Sequence, residues 1–206
     1  MKKINPKSNR NLIFVAAAIV VYALIAYGMN VNLLPRATQT LVIKACYNVI
    51  LALSLGLIVG FLGELSLGHA GFFALGAYSG CIFSINSNLP VEFRFVLAAL
   101  IGGTVAAIGG FLISSSILRL QGDYLAIVTL AFGETIRSFS KIIPITGGTA
   151  GLGGIPSLGT KLKTFTFSYV FVIITILVIR NIVTSSHGRA ITSIRDNAIA
   201  AESIGI

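Results

Sequence analysis

Apolar residues come in long runs along this chain, where a soluble core would interrupt them every few positions with a polar face. Six runs stand out, at residues 12–29, 45–62, 69–85, 95–118, 124–143 and 168–183. At 1.5 Å of rise per residue a helix from each can cross about 30 Å of hydrocarbon, the shorter ones with help from interfacial flanks or local thinning. The strict alternation of barrel strands is missing, so helices are the only spanning structure left. The prediction is an all-α polytopic membrane protein with about six transmembrane helices. A polar N-terminal segment (1–11) precedes the membrane domain (12–183), and a polar tail (184–206) follows it.

The connections differ in kind. NSNLPVEFR (86–94) reads as a polar, turn-rich loop, and LQGD (120–123) as a tight one with Asp123 placed to cap the next helix. Residues 141–167 form a long glycine-rich connection, and no soluble domain is inserted. The first run is longer than the apolar core of a signal peptide and reads as a retained span. Small residues recur four apart at Gly56 and Gly60, Ala70 and Ala74, Gly76 and Gly80, and Ala106 and Gly110, a pattern of close helix packing.

Composition agrees with this class. Of 206 residues, 55% are hydrophobic and only 10% charged, against roughly a quarter charged in soluble domains. The mean hydropathy is +0.94. The formal charge of +9 comes from bases scattered at the ends of apolar runs, which suits interfacial anchoring; with no aromatic-studded basic patch, nucleic acid is not an expected partner. Cys46 and Cys81 lie inside apolar runs and read as small hydrophobes. Lys2, Lys3, Lys7 and Arg10 argue for a cytoplasmic N-terminus, and six spans return the C-terminus to the same side. Lys141, Lys161 and Lys163 on the opposite side weaken that bias.

Enzyme templates fail on spacing. Glu64 and His69 are five apart and no HExxH occurs, so no zinc helix is present. Ser66 lacks the first glycine of a nucleophile elbow, and a Ser66–His69 pair would have nothing to orient the imidazole. In GGTAGLGGIP (147–156) a glycine stands where a P-loop needs lysine, and Pro156 replaces the last glycine of a dinucleotide fingerprint. Neither a metal site nor a cofactor is expected on this chain.

Three features remain. ELSLGHAGFF (64–73) puts a carboxylate, an imidazole and two glycines between two apolar runs. It reads as a break in which Gly63, Gly68 and Gly71 let the backbone bend, with Glu64, Ser66 and His69 available to satisfy freed backbone groups. In the fifth run Glu134, Arg137 or Ser138, and Lys141 share one helical face. They are either an interfacial ion pair beside a snorkelling lysine or a functional site at membrane depth. The tail patterns from Gly188 as a short amphipathic helix. Ile191, Ile194 and Ile199 are its apolar contacts, Arg189, Arg195, Asp196 and Glu202 its charges, and Gly205 suits its end. It either lies on the membrane surface or docks a protein, and its mixed charge suits a protein better than anionic lipid.

Four stretches, GELSLGHAGFFALGAYSG, LRLQGDYLAIVTLAFGETIRS, TGGTAGLGGIPS and GRAITSIRDNAIAAESIGI, occur in this order. Together they resemble the inner-membrane permeases of ABC importers for branched-chain amino acids, from about Ala45 to the last residue. The resemblance implies that the tail is a cytoplasmic coupling segment for an ATPase subunit, with Gly188, Arg189, Arg195, Ala201, Glu202 and Gly205 as its candidate residues. ATP and magnesium would then be held by the partner ATPase. The implied partners are a second permease subunit, two ATPase subunits and a periplasmic substrate-binding protein. The implied location is the bacterial inner membrane. Family members generally continue with further spans, so the chain reads as C-terminally truncated.

The expected mechanism is alternating access, with Glu64, Ser66, His69 and Glu134 as candidate residues of the substrate pathway. Two other readings compete. One is a permease of the same class for urea or short amides. The other is a proton-coupled secondary transporter using Glu64 and His69 as a relay.

Overall fold

In the computed structural model the described residues are 6–31, 33–117, 122–203 and 205, and among them there are helices and turns but no strand. The protein is an all-α polytopic membrane protein. Its helices are α1 (Pro6–Asn30), α2 (Arg36–Gly56), α3 (His69–Asn86), α4 (Val91–Ile117), α5 (Asp123–Ile142), α6 (Lys161–Thr184), α7 (Ser186–Asp196) and α8 (Ala198–Ser203). A π-helical turn, Leu57–Leu62, continues α2. Arg36–Leu62, Val91–Ser115 and Lys161–Thr184 are long and apolar enough to cross a membrane by length and composition. Each predicted apolar run falls on a helix as far as its residues are described, position 118 lying outside them, but α1, α2 and α6 start well before their runs. α2 begins at Arg36 and α6 at Lys161, because a polar first turn costs a helix nothing when its face can reach an interface.

The chain divides into two units, and α2 and α6 contribute to both. The first holds α1, α2 as far as Ile50, and Gly159–Ile174. Its core is Met29, Cys46, Phe165 and Val172, with Phe165 wholly buried (0% exposed). The rings of Tyr22 and Phe165 stack at 5.8 Å, and the Tyr169 hydroxyl donates to the Ala18 carbonyl at 2.8 Å. Lys161 Nζ donates to the Arg36 carbonyl and to Thr40 Oγ1, both at 2.8 Å. The Arg36 carbonyl also accepts from Thr40 Oγ1 at 3.0 Å, so the lysine ties the start of α6 to the first turn of α2.

The second unit holds the rest of α2 with the π-turn, α3, α4, α5, and the chain from Thr175 onward. Gly76 and Gly80 of α3 lie against the backbone of Ala98 and Gly102 in α4, with the Ala106 methyl beside Gly76. This is the close approach that small residues four apart provide in lipid, where packing rather than water exclusion holds helices together. The pair Gly56 and Gly60 behaves differently, since neither has a neighbour within 4 Å of its vacant side-chain position.

Two local expectations need correction. Asp123 does not cap α5; Gly122 occupies that position at φ 62°, and Asp123 is the first helical residue, where its charge favours the helix dipole. The predicted loop 120–123 lies partly outside the described residues. The tail is two helices rather than one, because Asn197 leaves the helical region (φ −161°) and its Oδ1 accepts from Ala200 N at 3.1 Å, starting α8 afresh.

Candidate substrate pathway and tail contacts

The break predicted between two spans is present, with residues 63–68 non-helical between the π-turn and α3. It starts because the π-turn ends at Gly63, whose N–H closes onto the Ile58 carbonyl at 3.1 Å and whose φ of 78° is left-handed. Of the three glycines predicted to bend the chain, only Gly63 does so. Gly68 has φ −88°, open to any residue, but a side chain there would overlap the backbone carbonyl of Thr129 in α5. At Gly71 a side chain would fall 2.8 Å from the Cα of Gly133. These two glycines let the start of α3 lie against α5.

The groups that satisfy the break also differ from expectation. Leu67 N–H donates to Thr129 Oγ1 at 3.1 Å, and the Gly60 carbonyl accepts from Arg195 Nη1 at 2.9 Å. Glu64 and Ser66 are half-buried and make no hydrogen bond among the described residues. His69 Nε2 is 2.7 Å from Ser54 Oγ, which also bonds the Leu51 carbonyl at 3.0 Å. With its one proton on that carbonyl, Ser54 accepts from His69 Nε2. The partner of His69 is therefore Ser54 in α2, fifteen residues back, and not Ser66. No Glu64–His69 bond forms, so the two groups of the imagined proton relay are not joined among the described residues.

Thr129 also donates to the Ala126 carbonyl at 3.0 Å, which fixes its oxygen to receive Leu67 N–H. Replacing Thr129 with valine keeps the shape and leaves the part-buried Leu67 N–H without its acceptor, a cost of about 1 kcal/mol. The expected result is a lower unfolding temperature in detergent for Thr129→Val, with serine restoring most of it. An unchanged melting curve would mean that Leu67 N–H finds another acceptor.

Beyond this junction α3 and α5 enclose a groove of about 260 Å³. Its walls are apolar or small (Leu67, Ala70, Ala74, Tyr78, Leu130, Gly133) and its other lining is polar or charged (Glu134, Arg137, Ser140, Lys141). Arg137 Nη1 sits 3.2 Å from both Glu134 oxygens, in a pair with side chains 64% and 58% exposed. An ion pair that open contributes little stability in water. Lys141 has no partner among the described residues. The groove thus offers both signs of charge beside an apolar wall. Among the described residues no cluster able to hold a metal ion occurs.

In the tail, Ser185 caps α7 by accepting from Gly188 N–H at 3.1 Å. A side chain at Gly188 would overlap the Ile182 and Val183 carbonyls at the end of α6. Arg189 folds back, Nη2 donating to Ser186 Oγ at 3.2 Å. Arg195 reaches the π-turn, as above. Ala201 is buried at 3% exposed, while Ile199 is 82% exposed and Glu202 is exposed, its carboxylate having no partner among the described residues. Gly205 closes a turn at φ 82°, its N–H donating to the Glu202 carbonyl at 3.1 Å. Five of the six predicted tail residues therefore make contacts inside the fold or close its end, and Glu202 faces outward.

Ser54, Thr129 and Gly133 were missed in the sequence. A signal did exist for two of them: Thr129 and Gly133 are small residues four apart on the face of α5 that receives α3. Ser54 carried none, because its partner lies across the break.

The family described as branched-chain amino acid transport system / permease component matches residues 37–206. The high-affinity branched-chain amino acid transport system permease protein LivM of Escherichia coli (strain K12) is 33% identical over 202 residues, covering 83% of this chain and 47% of that protein. The protein of the same description from Salmonella typhimurium (strain LT2) is 30% identical, covering 94% of this chain and 51% of that protein. The chain spans about half the length of the curated relatives it matches. No solved structure matches it.

Proposed function

The chain belongs to the permease-component family of branched-chain amino acid transport systems, and from that premise we propose that it is a permease subunit of an ATP-driven importer for branched-chain amino acids. The observation that carries the reading is the groove between α3 and α5. A branched-chain amino acid is a zwitterion on a small hydrocarbon, so its site needs two opposite charges beside an apolar wall. Glu134 suits the ammonium group, and Arg137 with Lys141 suits the carboxylate. Leu67, Ala70, Ala74 and Leu130 suit the aliphatic side chain. The opening of the pathway runs past the broken segment with Glu64, Ser66 and His69.

Transport proceeds by alternating access. ATP and magnesium bind on two separate ATPase subunits, a second permease subunit completes the passage, and a periplasmic binding protein delivers substrate. The chain lies in the inner membrane with both termini cytoplasmic, and the 184–206 tail couples to the ATPase. Energy enters as a difference in ATPase affinity between two permease conformations.

The test is uptake of labelled leucine by the assembled complex in proteoliposomes. Glu134→Gln is expected to lower uptake by tenfold or more, as loss of a charged contact worth about 1.5–3 kcal/mol requires. Uptake of urea by the same complex, insensitive to this change, would move the substrate to neutral amides. Leucine uptake that needs a proton gradient and no ATP would overturn the reading altogether.

A further inference from the structure

Arg195 was grouped in the sequence with residues that would face an ATPase. We propose instead that it is a positioning residue, the link by which the tail sets the conformation of the π-turn and, through it, of the substrate groove. The proposal rests on the ATP-driven reading above.

Three contacts define the link. In a continuous α-helix the Gly60 carbonyl would accept from the N–H of residue 64. Here the chain leaves the helix at Gly63, and Arg195 Nη1 takes that place at 2.9 Å. The aliphatic stem of Arg195 crosses Gly63 so closely that a Cβ there would fall 2.6 Å from Arg195 Cγ. Asp196 aims the guanidinium, its Oδ1 accepting from Arg195 Nε at 3.0 Å and Nη2 at 2.8 Å. With those two donors engaged, Nη1 is the one directed at the turn. A guanidinium on a backbone carbonyl is a charge-assisted bond, roughly twice as strong as a neutral one.

The link has continuation on both sides. Toward the tail, α7 is seated on the end of α6 through Gly188. Toward the groove, the segment leaving Gly63 ends at Leu67, tied to Thr129, and at Gly68, pressed on the same residue. Gly133 and Glu134 follow one turn further along α5 and line the groove. A shift of α7 cannot leave the π-turn in place without breaking the Arg195 bond. The element on which the link acts is the π-turn Leu57–Leu62; π-helical turns are rare, occur mostly as single turns within α-helices and are frequent at functional sites. The outward face of the tail, with Ile199 and Glu202, is left for the partner.

The experiment uses the assembled complex and three readouts: ATPase copurification, ATP hydrolysis stimulated by substrate-loaded binding protein, and leucine uptake. Arg195→Met keeps the stem and removes the donor. Its expected phenotype is normal copurification, hydrolysis no longer stimulated by substrate, and uptake per ATP reduced ~10-fold. Arg195→Lys retains one donor and is expected to recover part of the coupling. Asp196→Asn leaves the arginine in place and is expected to show a milder form of the same defect, which decides the matter if the Arg195→Met permease itself does not fold. Wild-type coupling in both Arg195→Met and Asp196→Asn overturns the proposal. So does loss of ATPase copurification by a folded Arg195→Met permease, which would make Arg195 a docking residue while leaving the ATP-driven reading intact. ATP-independent uptake by the unmodified complex would instead remove the reading beneath it.

Discussion

Gly68→Val is expected to abolish leucine uptake and to lower the yield of assembled complex severely. The added Cβ would lie on the Thr129 carbonyl, a backbone atom in the middle of α5 that no rotamer change can move. Relief requires α3 and α5 to separate, which also withdraws Leu67 N–H from Thr129 Oγ1 and opens the groove. Overpacking of a core costs typically 1–3 kcal/mol, and loss of the hydrogen bond about as much again. The clash does not depend on a left-handed backbone, because Gly68 has a φ of −88°. Gly68→Ala is therefore expected to show the same defect in reduced form. Uptake at wild-type level in Gly68→Val would mean that α3 and α5 are not packed at this point in the working transporter.

Gly188→Leu carries the second large effect. The substitution drives a side chain into the Ile182 and Val183 carbonyls, so α7 can no longer start where α6 ends. It also disturbs the Ser185 cap, whose partner is the Gly188 N–H. The expected outcome is a permease that reaches the membrane with normal thermal stability of its spans but fails to hold the ATPase subunits on affinity purification. Limited proteolysis should then cut within 186–203 at a rate well above that of the unmodified protein. Retained copurification together with unchanged proteolysis would show that the junction adapts.

The sequence announced the spans plainly, because a helix in lipid has to be apolar on nearly every side and no periodicity needs to be decoded. It announced the break as well, since Glu64 and His69 between two apolar runs have no other easy explanation. It did not reveal what the break is made of. Gly63, Gly68 and Gly71 look alike on paper, and only position in space separates a left-handed turn from two points of helix contact. Arg195 was similarly opaque. An arginine in an amphipathic tail has the composition of a docking surface, and its true acceptor is a backbone carbonyl, which leaves no mark in the residue code. The charged face of α5 was visible from spacing alone, and the short reach from Arg137 to Glu134 is what an i, i+3 pair allows. That Ala70 and Ala74 form the wall opposite could not be read, because it depends on how α3 is turned relative to α5.

The π-turn has a further consequence, which concerns phase. In an α-helix each residue advances about 100° around the axis, so residues four apart nearly coincide in direction. Bonding from i to i+5 slows that advance, and the six residues Leu57–Leu62 therefore arrive at Gly63 out of step with Arg36–Gly56. Gly56 and Gly60, a matched pair by the four-residue ruler, straddle the change of step, and the ruler does not hold between them. Any assignment of lipid-facing and passage-facing sides made on α2 expires at Leu57 and has to be started again at His69.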